Sequence, residues 1–409
     1  MNISRRRILS GMAASTGLAI APGVKATFAQ SVPGTPARDI VVVVFQRGAC
    51  DWLQMLAPAG DANYIANRPS IRVRPATDTT NVGIGVGSLS GVDLYLPPSA
   101  PELKTLYDSG KLAFVHATGL YTQDRSHFTC QDNMEKGTAD ADPGQNSGWL
   151  ARHTASVGVQ ADLAIVSSGS TNAVSLLGQP AAVAIADPQG FNVSGGTANA
   201  TVIRLMNSVN ATTPYKIAAL QTLNTVQDVQ TGLAGFQDPS GTAGYTGGAL
   251  SNALRAVGRL VRMNVGLDVV TVDHGGWDHH NNLVGEFNQR ATEFSRSINA
   301  FWTDMEQYRN RITLVTMTEF GRRFRENANQ GTDHGSASGM LVLGGNVNGG
   351  RIYGSWPGLA ASQLDSGDMA VTTDYRQVLA EILVKRHAET RLSSVFPSVH
   401  YAPLGILKA

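Results

Sequence analysis

Residues 39–45 read Asp-Ile-Val-Val-Val-Val-Phe, with no polar position to turn toward water on either side once Asp39 is passed. Such β-branched continuity predicts a strand buried on both faces inside a parallel sheet. The run stops at Gln46-Arg47-Gly48-Ala49-Cys50-Asp51, a polar loop at the strand's carboxyl end. In open α/β sheets that end is where ligands bind. Shorter apolar runs predict further strands at 112–116, 163–166, 181–186, 267–272, 312–317 and 340–343. Between them lie stretches of helical composition or period at 126–136, 217–233, 250–263, 286–309 and 374–387. The fourth carries Phe287, Ala291, Phe294, Ile298, Phe301 and Trp302 at helical spacing. Strands alternating with helices predict an α/β fold: a doubly wound, mostly parallel sheet with helices on both faces. A Gly/Ser/Thr/Asn-rich stretch at about 192–250 reads as an insertion or cap within a single domain spanning 36–409.

The first residues break this pattern. Ser4-Arg5-Arg6-Arg7-Ile8-Leu9 precedes an uncharged apolar run, Gly11 to Val24, and Ala26-Thr27-Phe28-Ala29 supplies small residues for cleavage after Ala29. A charged start, a short apolar middle and a small-residue exit describe a secretory signal over 1–29, and the paired arginines point to the twin-arginine machinery. The expected location is periplasmic or secreted. The apolar run is too short to cross a hydrocarbon core of roughly 30 Å, and no later segment approaches the roughly 20 apolar residues a span needs.

Composition narrows the function classes. A formal net charge of +1 gives no electrostatic case for nucleic acid or an acidic membrane. Two cysteines, Cys50 and Cys130, are too few for a disulfide framework and leave one bridge open. The chemistry lies at predicted strand ends. Asp51 follows the first strand. Asp273, His274, Asp278, His279 and His280 follow the strand that ends at Val272; Glu319 follows Met317; Asp333 and His334 lie in Gly-Thr-Asp-His-Gly. Mixed carboxylate and imidazole sets suit one or two ions of zinc, manganese or iron in a hydrolytic site. A hydrogen-bonded ion-pair network is the other reading. Ser126, in Asp-Arg-Ser-His-Phe, is either a helix N-cap or a nucleophile. Arg47 is either a fork for an oxyanion or half of a surface ion pair.

Together, these motifs resemble a family of exported bacterial proteins catalogued as a domain of unknown function, itself similar to the alkaline phosphatase and sulfatase superfamily. The segments carrying the likeness are Val-Phe-Gln-Arg-Gly-Ala-Cys-Asp from Val44, Arg-Ser-His-Phe-Thr-Cys-Gln-Asp-Asn-Met-Glu-Lys-Gly from Arg125, Gly-Gly-Trp-Asp-His-His from Gly275, Thr-Glu-Phe-Gly-Arg-Arg from Thr318 and Gly-Thr-Asp-His-Gly from Gly331, then Gly-Gly-Asn-Val-Asn-Gly-Gly from Gly344. The resemblance implies an alkaline-phosphatase-like domain in which Ser126 attacks a phosphate or sulfate ester. It implies one metal on Asp51 and Glu319, and a second on His280, His334 and Asp273 or Asp278. The sequence departs from the superfamily at Phe320, where a metal-binding histidine is usual. The nearer site is then empty or rebuilt with His127 or Asp333. A catalytically silent binding or assembly protein that keeps the fold is the alternative. Neither the substrate, small or polymeric, nor any partner beyond the export machinery is legible.

Overall fold

In a computed structural model the chain is described over residues 38–138, 145–158, 163–192, 214–234 and 236–408, with positions 161, 199 and 201 between them. The expected signal at 1–29 lies outside these residues. The expected insertion at about 192–250 lies partly outside them; within it the helix Pro214–Leu233 forms. Among the described residues no helix is long and apolar enough to cross a membrane.

The strands are β1 (Ile40–Gln46), β2 (Ile84–Leu89), β3 (Val92–Leu96), β4 (Leu112–Gly119), β5 (Ile165–Ser168), β6 (Val183–Ala184), β7 (Val269–His274), β8 (Ile312–Met317), β9 (Ser338–Gly344), β10 (Arg351–Tyr353) and β11 (Thr373–Asp374). β2 and β3 form a separate hairpin. The rest make one sheet in the order β10-β4-β9-β8-β1-β7-β5-β6, with β11 beside β4. β1 lies in the middle, parallel to β7 on one side and to β8 on the other. Its valines divide between two cores: Val42 and Val44 belong to one, Val41 and Val43 to the other. Full burial of one such side chain is worth roughly 1.5–3 kcal/mol, which is why the run tolerates no polar residue.

Helices Ala249–Arg262 and Leu283–Asp304 cover one face. Helices His127–Lys136, Trp149–Val157 and Tyr375–Arg386 cover the other. The mostly parallel α/β sheet read from the pattern is therefore the one that forms. β9 is the exception to parallel order, antiparallel to both β4 and β8. That reversal brings its amino end to the carboxyl edge of the other strands, where the predicted chemistry lies.

Several boundaries differ from the sequence reading. The helix expected over 286–309 begins at Leu283 and ends at Asp304, because guanidiniums take its last carbonyls: Arg262 donates to the Asp304 carbonyl and Arg309 Nε to that of Trp302 at 2.9 Å. The helices Pro101–Asp108 and Trp149–Val157 and the β2–β3 hairpin add to the elements expected from the pattern. They are short, and the hairpin is interrupted by an irregularity between Gly85 and Gly87 that blurs its alternation.

The closing segment is fastened by Glu381. Its fully buried carboxylate accepts from the amides of Leu404, Gly405 and Leu407 at 2.6, 3.0 and 2.9 Å. Glu381→Ala should strand at least one buried amide and cost about 1–3 kcal/mol, read from the urea midpoint. A second prediction concerns acid. Burial holds His116 down to about 4, and burial with neighbouring cations holds His387 down to about 3, against about 6.5 for an exposed imidazole. Both folded values lie below the unfolded one. Stability is therefore complete above about pH 6.5 and falls as pH drops from there, by up to roughly 1.4 kcal/mol per unit for each histidine. Urea midpoints unchanged between about pH 7 and pH 5 would refute this.

Candidate metal centre

Four segments meet at the carboxyl edge: the turn after β1, the loop after β7, the start of the His127–Lys136 helix beyond β4, and the loop between β8 and β9. Arg322, wholly buried, ties the three loops among them. Its Nε donates to the Ala49 carbonyl at 2.8 Å, Nη1 to that of Thr332 at 3.0 Å, and Nη2 to that of Gly48 at 2.6 Å. Nη2 also reaches the Trp277 carbonyl and the Asp278 carboxylate. Two glycines permit the close approach. A side chain on Gly48, at φ +109°, would meet the Asp278 amide at 2.7 Å, and one on Gly331 would meet the His280 carbonyl carbon at 2.1 Å.

The loop after β7 sorts its residues by where each points. His274 stacks on Phe294 with ring centres 5.8 Å apart and sits edge-on to Trp277. His279 packs against Trp277 and Phe287, and burial pushes its pKa down to about 4. These two belong to the core. Asp278 and His280 turn outward to the edge, where they meet His127 and His334.

The ligand atoms of His127, Asp278 and His334 lie within 4.8 Å of one another. Asp278 Oδ1 stands 3.5 Å from His127 Nε2, 3.5 Å from His334 Nε2 and 3.0 Å from His280 Nε2. The last two imidazoles face each other, Nε2 to Nε2, at 3.1 Å. On each ring the other nitrogen has an acceptor. His127 Nδ1 lies 2.7 Å from Glu319 Oε1, His334 Nδ1 lies 2.8 Å from the Arg125 carbonyl, and His280 Nδ1 lies 3.1 Å from Asp333 Oδ1. An imidazole that donates from Nδ1 presents a lone pair at Nε2. Three such lone pairs around one carboxylate oxygen repel one another unless a proton or a cation sits among them. A backbone carbonyl or carboxylate behind each ring is what orients metal-ligating histidines.

The surroundings bias the charge on each group. The hydrogen bond to Glu319 holds the His127 pKa above its ordinary value, and burial pushes that of His334 below it. Burial opposes charge on Glu319 and Asp278, but bonds from His127 and Gln131 in the first case and from Arg322 in the second keep both below the ordinary carboxylate range. The Asn327 amide does the same for Asp333.

The remaining expected site residues are placed differently. Asp51 is buried and spends its carboxylate on Arg68 Nη1 at 2.7 Å, the Leu53 amide at 3.0 Å and the Thr332 hydroxyl at 3.3 Å. Arg68, also buried, donates as well to the Phe324 and Arg323 carbonyls. The cation beside Asp51 is thus a guanidinium. Glu319 and Asp333 stand behind His127 and His280. Asp273 pairs with Arg47 at 2.8 Å, and Arg47 also meets Glu135 at 3.1 Å, so the ion-pair reading of Arg47 describes its contacts. Ser126 caps its helix, its Oγ accepting from the Thr129 amide at 3.5 Å. The His127 ring lies against Phe320 with centres 4.9 Å apart, so an imidazole from the helix fills the space beside that phenylalanine. Cys50 and Cys130 are both buried, and no disulfide joins them. Arg68 has no sequence signal, because nothing around it marks a buried arginine; Arg322 has a faint one as the first of two arginines in Thr-Glu-Phe-Gly-Arg-Arg.

The family model described as a protein of unknown function, DUF1501, matches residues 114–385. The chain belongs to this family. The match runs from within β4 through the His127 helix, β7, β8 and β9, and so takes in all four residues of the cluster. No curated protein matches the chain. Among solved structures, the lipoteichoic acid synthase LtaP from Listeria monocytogenes aligns over 83% of this chain and 76% of its own, at 8% identity and TM-score 0.33. A mutant of TAB5 alkaline phosphatase with Mg bound aligns over 75% of this chain and 91% of its own, at 8% identity and TM-score 0.31. At those scores neither carries an argument about this DUF1501 chain.

The Asp51–Arg68 pair generates a double-mutant test. Arg68→Met should leave a buried carboxylate uncompensated and cost about 3–5 kcal/mol. Combining it with Asp51→Asn should recover most of that loss in urea unfolding. Additive losses would mean that the two residues stabilise the fold independently.

Proposed function

We propose that this DUF1501 chain is a metal-dependent hydrolase of phosphate or sulfate esters, built around one divalent cation on His127, Asp278, His280 and His334. What carries the reading is the convergence of three Nε2 atoms on the outward Asp278 carboxylate, each ring backed by its own acceptor. Three imidazoles and one carboxylate suit zinc, manganese or iron, and a structural role alone would not require the exposure of Asp278, whose side chain is 46% accessible. When bound, the cation supplies Lewis-acid charge to an oxygen of the ester.

The chain's own residues supply the rest. Ser126 is bracketed by the site: its predecessor Arg125 offers the carbonyl that orients His334, and its successor is His127 itself. Its cap bond of 3.5 Å is long for a hydrogen bond, so the hydroxyl gives up little by turning to a substrate. In the proposed reaction Ser126 Oγ bonds to the phosphorus or sulfur, the alcohol leaves, and water later cleaves the seryl ester. The amino end of the helix favours the anionic group being attacked. Arg125 pairs with Asp368, at 2.7 Å.

The test begins with metal content. The purified protein should hold one equivalent of zinc, manganese or iron, and His334→Ala should lose it. The loaded protein should release aryl alcohol from an aryl phosphate or aryl sulfate. Ser126→Ala should lower kcat by at least on the order of 1000-fold with the metal retained. A protein that takes up none of these ions sinks the reading. A loaded protein that cleaves neither ester leaves the non-catalytic binding protein as the better account.

A further inference from the structure

Behind His127 runs a line of polar contacts that reaches the protein surface. Glu319 Oε1 receives three donors: His127 Nδ1 at 2.7 Å, Gln131 Nε2 at 2.8 Å and the Gly48 amide at 2.8 Å. Gln131 Oε1 in turn accepts from Arg47 Nη1 at 3.0 Å. Arg47 is fixed over the Phe45 ring, 4.4 Å from its centre, between Glu135 and the half-exposed Asp273.

The chemistry of the donors settles which way each group faces. A guanidinium has no acceptor, so the Gln131 carbonyl must turn to Arg47 and its NH₂ to Glu319. A carboxylate oxygen already holding two N–H donors cannot give a proton to a third neighbour; it can only accept one from His127 Nδ1. One proton on His127 is therefore pinned to the nitrogen that faces away from the cluster, so the neutral ring turns its lone pair inward.

We infer that Gln131, oriented by Arg47, is a positioning residue that holds Glu319 against His127 and thereby sets the cation affinity of the cluster. The inference rests on the reading of that cluster as a cation site. Arg47, read from the sequence as either an oxyanion fork or half of an ion pair, enters this inference through its contacts with neighbouring side chains. It sets the direction of one amide, and Asp273 steadies it from the solvent side.

The experiment is a titration of the full chain with cobalt(II), followed by calorimetry and by the visible ligand-field absorption. Gln131→Glu keeps the side chain's size but sets an acceptor against Glu319, and Gln131→Met removes both polar ends at the same length. Each should weaken cobalt(II) binding about 10–100-fold and alter the absorption envelope, with the urea midpoint of the metal-free protein near that of the parent. Arg47→Lys, which keeps the charge and loses the fork, should move both readouts in the same direction by less. Should Gln131→Glu fail to fold, Gln131→Met decides. Parental affinity and parental absorption in a folded Gln131 variant would overturn the inference while leaving the cation site intact. A parent that binds no cobalt(II) would overturn both.

Discussion

One guanidinium sets the geometry of the sheet's carboxyl edge. Arg322 is buried without a counter-ion of its own depth; its donors go to the carbonyls of Gly48, Ala49, Trp277 and Thr332 and to the half-exposed Asp278. Burying a charge in this way is tolerable only when its hydrogen bonds are met, and here they are met by three separate loops. The loops are consequently held at fixed separation, and the side chains they carry inherit that precision. Replacing the guanidinium with a shorter or apolar group would free all three at once.

The antiparallel course of β9 complements this constraint. Because β9 enters the sheet from the edge where its neighbours leave it, the connection from β8 passes over that edge and lays Asp333 and His334 beside the loop from β7. A parallel β9 would need a crossover to the far edge, and His334 would lie elsewhere. The cluster thus draws on topology for its gross placement and on Arg322 for its fine placement.

Much of this is legible in the residues. The four-valine run of β1 announces a central strand because burial on both faces leaves no room for polar alternation. His280, His334 and Asp278 stand out because glycines flank them at strand ends. Asp51 misleads for a physical reason: a carboxylate after a first strand looks the same whether it faces an ion or an arginine, and its partner Arg68 lies 17 residues on, inside a segment with no periodicity. His127, which the sequence offers with Asp333 as a candidate for the site, lies against the Phe320 ring, but its tie to Glu319 depends on a contact across 192 residues that no local pattern encodes. Gln131 is invisible, since a glutamine in a polar helix turn carries no distinguishing mark.

The Asp51–Arg68 pair separates assembly from loading. A cluster of carboxylates at a sheet edge ordinarily needs an ion from solution before its loops can settle, which couples folding to metal supply. Here one buried carboxylate, Asp51, has its positive partner in the same chain, 2.7 Å away and shut off from water. The scaffold beneath the histidines can reach its final form in an ion-poor medium. On the proposed reading, an ion meets a finished, partly open site, where fit rather than order of arrival decides what stays.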